Sequence, residues 1–149
     1  TKEMLADTLK DQFNDIANRS SNYWQGLAEH TALRIREFGR LQGYKKAKAR
    51  YYKLVVILDD RTSDICRALA AQDRVYPLND AIEVMDNLMA LDTKSNSLDD
   101  AREYIKALAP WIKDDQIEYD SEMNPVGVSG AHTPFPPFHW KCRTATTII

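Results

Sequence analysis

His139 and Cys142 stand three residues apart near the end of the chain, and Cys66 is the only other cysteine. Imidazole and thiolate are donors that zinc takes in a tetrahedral shell. A His-x-x-Cys pair is close enough for both side chains to reach one ion, which makes Cys66 a third ligand. Asp59, Asp60, His132 or a water would fill the fourth place, with Asp60 the candidate carried forward. Two other states are open to the same residues. One is a Cys66–Cys142 disulfide; the other is a pair of reduced, buried thiols with His139 bonded to backbone.

For these residues to meet, 59-DDRTSDICRAL-69 must lie against 134-PFPPFHWKCRT-144. The stretch 51-YYKLVVIL-58 is rich in Tyr, Val, Ile and Leu and reads as a strand. The tail 143-RTATTII-149 suits a second one. If the strand near 52–58 pairs with the tail strand near 143–149, Asp59, Asp60, Cys66, His139 and Cys142 converge at one end of a small sheet. Arg61 and Arg143 flank the two motifs and are expected to pair with Asp59, Asp60 or Asp64. Consecutive prolines fix φ and extend the chain before His139, while Phe135, Phe138 and Trp140 are expected to pack across the core.

The rest reads as helix. Apolar residues recur at helical spacing over 2–19 (Leu5, Leu9, Phe13, Ile16, Ala17) and 22–41 (Tyr23, Leu27, Leu33 or Ala32, Ile35, Phe38). The cluster 18-NRSSN-22 interrupts them and can cap the second. Gly39 and Gly43 are expected to weaken its end, and 44-YKKAKARYY-52 is expected to be helical in turn. A short helix follows at 63–71, capped by Asp60 or Thr62. Pro77 and Asn79 open another over 80–91, and the polar residues 92–96 form a loop. Ser97 with Asp100 caps a helix over 98–109 that Pro110 stops. Residues 114–138, rich in Pro and Gly, read as a long irregular arm. The sum is a mainly helical α+β domain, 1–149, with a basic-ended helical half (1–50) and a core half (51–149) carrying a helical insert at 78–110.

Of 149 residues, 44% are hydrophobic and 28% charged, ordinary values for a globular chain. No apolar run reaches the roughly 18–20 residues a membrane span needs. The net charge of −2 hides an asymmetry: residues 1–58 hold 11 Lys/Arg against 6 Asp/Glu, and 59–149 hold 9 against 16. The basic excess is concentrated in 34–53, where Arg34, Arg36, Arg40, Lys45, Lys46, Lys48, Arg50 and Lys53 face only one acid, Glu37. Such a stretch is either a solvated helix face or a surface for nucleic acid. Tyr44, Tyr51 and Tyr52 could add stacking or serve as core residues. The sequence has no His-Glu-x-x-His, no phosphate-binding Gly-rich loop and no Gly-x-Ser-x-Gly. An Asp/His/Arg set with a metal leaves phosphodiester hydrolysis as an enzymatic alternative, through Asp60, His139 and Arg143.

Taken together, Asp60, Arg61, Thr62 and Cys66 after a strand, a helical insert, and then Pro136, Pro137, His139, Cys142 and Arg143 resemble the phage Mu F-like head morphogenesis family. The resemblance spans roughly residues 30–144. Many members carry one further cysteine in each motif; Ser63 and Thr144 stand there in this chain. Their joint absence implies that those two positions are mutual partners or co-ligands. The family likeness implies a minor head protein in the capsid interior of a virion or in the bacterial host cytoplasm. It would associate with portal and capsid proteins, with non-specific DNA contact through the basic segment, while zinc stays one of the open states of Cys66, His139 and Cys142. It also keeps the rival open, since similar domains adjoin toxin or nucleic-acid-modifying domains.

Overall fold

The computed structural model describes residues 2–17 and 21–149. Its elements are α1 (Lys2–Ala17), α2 (Ser21–Lys46), β1 (Tyr51–Val55), α3 (Asp64–Gln72), β2 (Tyr76–Pro77), α4 (Leu78–Met89), α5 (Leu91–Lys94), α6 (Leu98–Leu108), a 3-10 turn (Asp114–Gln116), β3 (Ile117–Tyr119), β4 (Pro125–Val128) and β5 (Ala145–Ile148). The fold is α+β, and the expected closure is present. β5 pairs antiparallel with β1, from Tyr52 opposite Ile148 to Val55 opposite Ala145. β2 adds to the other side of β1, giving the order β2-β1-β5.

The first motif follows β1 and the second precedes β5, so this one ladder carries both to the same end of the sheet. It is reinforced from α2. Thr146 donates its hydroxyl to Glu37 at 2.6 Å, and Tyr44 donates to the Thr146 carbonyl at 2.9 Å. Glu37 is fully buried, and burial raises its pKa. Its other oxygen accepts from Arg40 at 2.7 Å.

Two apolar cores flank the ladder. One gathers Leu41, Tyr52, Tyr76, Met85 and Phe135 among others; the second gathers Ile65, Cys66, Leu69, Ile112, Val128 and Phe138. Leu54 of β1 packs against both. The Pro-Phe segment spans them. Phe135, Pro136, Pro137 and Phe138 are all buried, with a cis Pro136–Pro137 peptide. Tyr52 donates its hydroxyl to the Pro134 carbonyl, and Ile112 donates its N–H to Phe138 at 3.0 Å. The ramp is therefore a core element that delivers His139.

Several local expectations are corrected. α2 runs through Gly39 and Gly43, where an added Cβ would meet open space. Its buried positions include Glu37 and Leu41, whereas Ile35 is 65% exposed. Residues 47–50 are not helical. The helix ends in a Schellman motif: Ala49 donates to Tyr44, Lys48 donates to Lys45, and Lys48 takes a left-handed φ of 56°. β1 stops at Val55 rather than at 58, where its pairing with β5 ends. Residues 91–94 form the short α5 in place of a loop. The 114–138 arm contains a β3–β4 hairpin, bulged at Glu118/Tyr119, and α3 packs on β4. In α1, Leu5 and Leu9 are exposed rather than inward. The side chains of Phe13, Ile16 and Ala17 and the linker residues 18–20 lie outside the described residues.

The Glu37–Thr146 contact yields a direct expectation. Thr146→Val keeps the β-branched shape but strips a buried carboxylate of its donor, so denaturant unfolding should show a loss of about 1–3 kcal/mol.

Candidate metal centre

The site begins with the turn between β1 and α3. Thr62 donates its hydroxyl to the Ile57 carbonyl at 2.6 Å, and the Asp59 carboxylate accepts the Arg61 N–H at 2.9 Å. Ser63, not Asp60 or Thr62, caps α3, with its Oγ accepting the Cys66 N–H at 3.2 Å. That cap fixes the first turn of α3 and sets the Cys66 side chain facing the tail. Arg67 ties the turn further through the Asp59 and Thr62 carbonyls.

From the other strand, Arg143 reaches Asp59 in a two-pronged pair, with nitrogen–oxygen distances of 2.8 and 2.6 Å. A guanidinium fork on one carboxylate is the strongest form of ion pair, because two parallel bonds fix orientation as well as charge. The Arg143 guanidinium holds the Asp59 carboxyl well below the usual carboxylate range. The acid that matters here is therefore Asp59. Asp60 is exposed in the turn and is not among the donors grouped with the thiols. Arg61 is mostly exposed, 3.9 Å from Asp59.

Behind this clamp, Cys66, His139 and Cys142 place one donor atom each within 4.8 Å of the others, and this group could hold a metal ion. The two sulfurs are 4.0 Å apart and not bonded. His139 is oriented by backbone: its Nδ1 lies 2.7 Å from the Trp140 carbonyl. A carbonyl can only accept, so Nδ1 carries a proton, and Nε2 is left facing the sulfurs. Nε2 lies 3.0 Å from both Cys66 Sγ and Ser63 Oγ. Thr144 Oγ1 lies 3.2 Å from Cys66 Sγ. Ser63 and Thr144 are thus both in contact with the donor group.

The thiols differ in proton affinity. Cys142 is lowered, first by the hydrogen bond from Cys66 and then by His139. Cys66 is raised, by donating to Cys142 and by burial. His139 is pulled down by burial, but its contact with the Cys142 sulfur outweighs this and raises it. A cavity of about 20 Å³ opens beside the cluster, lined by Ser63, Cys66, His139 and Thr144 with Arg61, Lys141 and Arg143. A single water-sized sphere needs roughly 10–15 Å³, so one small ligand fits.

His132 lies elsewhere, with Nδ1 2.7 Å from the Thr133 carbonyl and its ring edge-on to Phe138. The remaining motif residues sit where the ramp and turn place them: Thr62 in the turn, Pro136 and Pro137 in the core. Of the three acids expected to pair with Arg143, it is Asp59 that does so. The stacking of Trp140 on Tyr23 and His30 is a contact that nothing in the sequence spacing indicates.

The structure divides the basic segment. Arg40 is taken by Glu37, Lys53 by Asp73 at 2.9 Å, and Arg34 is half-buried. Arg36, Lys45, Lys46, Lys48 and Arg50 are exposed, the last four grouped around the end of α2. Tyr52 is core, stacked on Tyr76, and Tyr44 is bonded to β5, which leaves Tyr51 as the exposed ring of the three. No family model, curated protein or solved structure matches the chain.

The clamp has a definite pH signature. A carboxyl depressed in the folded state contributes stability above its unfolded pKa, about 3.9, and loses that contribution as pH falls toward the folded value. Asp59→Asn should therefore lower the melting temperature at pH 7, and its deficit against the parent should shrink below about pH 4. A deficit that stays constant down to strong acid would show that Asp59 acts by packing alone.

Proposed function

We propose that the chain is a structural module of phage or prophage head morphogenesis, of the Mu F-like kind. In this reading it is a minor component of the procapsid interior that meets portal and capsid proteins and touches packaged DNA. The observation that carries the reading is the meeting of the two motifs on which the resemblance rests. Asp59 grips Arg143, Ser63 contacts His139, and Cys66 lies against Cys142 and Thr144. The two hydroxyl positions abut the donors, as expected if cysteines there share one ligand shell.

The ion is zinc. In a tetrahedral shell with bonds of about 2.3 Å the sulfurs stand roughly 3.8 Å apart, against 4.0 Å here. Cys66, Cys142 and His139 Nε2 are three ligands, and a water in the adjoining cavity is the fourth. Zinc in this position would join α3 to the tail, so its role is to hold the fold. DNA contact falls to Arg36, Lys45, Lys46, Lys48 and Arg50. Lysine and arginine on phosphate give affinity without sequence reading, and that affinity drops steeply with salt.

Four measurements test this. Protein purified without chelator should carry zinc at one per chain, and Cys66→Ser should abolish it; zinc-free protein with both thiols titratable ends the metal assignment. Thr144→Cys should tighten zinc binding by supplying a third thiolate as the fourth ligand, and affinity should fall as pH is lowered and the thiols protonate. Duplex DNA should shift in a salt-sensitive manner without cleavage, and Lys45→Glu with Lys46→Glu should weaken the shift. Divalent-metal-dependent cleavage abolished by His139→Ala would favour the enzymatic rival. The decisive assignment is location: particles purified from the source strain should contain the chain after external protease treatment. Particles without it would overturn the head-protein reading.

A further inference from the structure

α2 carries three glycines, and one of them lies against another residue. A Cβ added at Gly39 or Gly43 would meet nothing within 4 Å. At Gly26 it would lie 2.6 Å from Cζ2, 3.0 Å from Cε2 and 3.2 Å from Nε1 of Trp140. Glycine inside a helix is less favourable than alanine, so a buried one calls for a close approach that a side chain would block.

Tyr23 and His30 flank this glycine on the same face of α2. The Trp140 ring lies 5.9 Å from Tyr23 at 19° and 5.8 Å from His30 at 22°, both within the range of offset stacking. Seven residues of helix rise about 10.5 Å, so the indole stands between the two rings with its edge against the Gly26 backbone. Trp111 backs this notch, 5.0 Å from His30 and 6.4 Å from Trp140, at the head of an α2–α6 cleft that Ile35 also lines.

Trp140 is also the residue whose carbonyl accepts from His139 Nδ1 at 2.7 Å, which leaves Nε2 3.0 Å from Cys66 Sγ. Its successor, Lys141, holds a left-handed φ of 59° before the chain reaches Cys142. The carbonyl that aims the imidazole therefore belongs to a residue whose side chain is fixed by a helix far earlier in the chain.

We infer that Tyr23, Gly26 and His30 are positioning residues for the metal centre: they seat Trp140, and Trp140 orients His139 as a ligand. This assignment rests on the zinc reading above. Groups that orient a ligating imidazole through its other nitrogen change metal affinity about 10–100-fold when they are disturbed. Gly26→Ala puts a methyl group into the indole and displaces the residue that carries that carbonyl. A helix position with no link to the metal would respond the other way, since alanine favours helix.

The test titrates Co2+ and Zn2+ into the reduced full chain, following thiolate-to-cobalt absorption and competition with a chelator. Gly26→Ala should bind both ions about 10–100-fold more weakly than the parent. Gly39→Ala, whose methyl group meets open space, should bind like the parent. Trp140→Phe lacks the outer ring atoms that Gly26→Ala strikes, so the double variant should bind more tightly than Gly26→Ala alone. If Gly26→Ala does not fold, Tyr23→Leu, which removes one stacked ring without a clash, should still weaken Co2+ binding. Equal affinity in the parent and in a folded Gly26→Ala overturns the inference and leaves the zinc reading standing. So does an equal loss in Gly39→Ala, or a double variant no tighter than Gly26→Ala. A parent that binds neither ion overturns the zinc reading and this assignment with it.

Discussion

The antiparallel pairing of β1 with β5 is the constraint from which the rest of the molecule follows. It makes neighbours of residues on either side of a long helical insert. At one end of the ladder the Asp59–Arg143 fork pins the turn to the tail, and along its length Glu37, Tyr44 and Thr146 tie it to α2. Backbone ladder bonds alone do not specify register when both partners are short. Here an ion pair at one end and a buried acid in the middle do so, because a slip of one residue would strand a charge at each place.

The donor cluster inherits its order from this arrangement. Cys66 is placed by the Ser63 cap, and Cys142 by the strand that follows it. His139 is held by its own neighbour's carbonyl after a run of buried Pro and Phe. None of the three needs the others to be positioned. A cluster built that way is preorganised, so an ion entering it does not have to order loops. The hydroxyls of Ser63 and Thr144 fill the remaining side with groups that can bond to sulfur and nitrogen.

Much of this was legible because it lies in local pattern. The strand at 51–55 and its partner at the tail were visible as dense β-branched and aromatic residues, and the Ser97 cap as a hydroxyl three places before an acid. The convergence of Cys66, His139 and Cys142 followed from pairing those strands. Other features carry no local mark. Lys48 takes a left-handed conformation that spacing would assign to glycine, so nothing local marks the end of α2 there. Glu37 is buried against Thr146, a partner over a hundred residues away. Ile35 shares the helical spacing of core residues yet faces a cleft, since periodicity defines a stripe and cannot say how much of it is covered. The β3–β4 hairpin was hidden by turn residues dense enough to look like loop. Asp59 and Asp60 are adjacent and alike, and only the reach of Arg143 separates them.

The long separation between β1 and β5 also shapes how the molecule is assembled. Roughly 90 residues must be gathered before the ladder can close, and the entropy of that closure is lost before any bond repays it. Until then β1 has one flank covered only at Tyr51 and Tyr52 by β2, and the other flank bare. A bare strand of this composition is a template for unwanted pairing with another chain. Lys53, the single charge in β1, is the residue that discourages such pairing while the tail is still unbound.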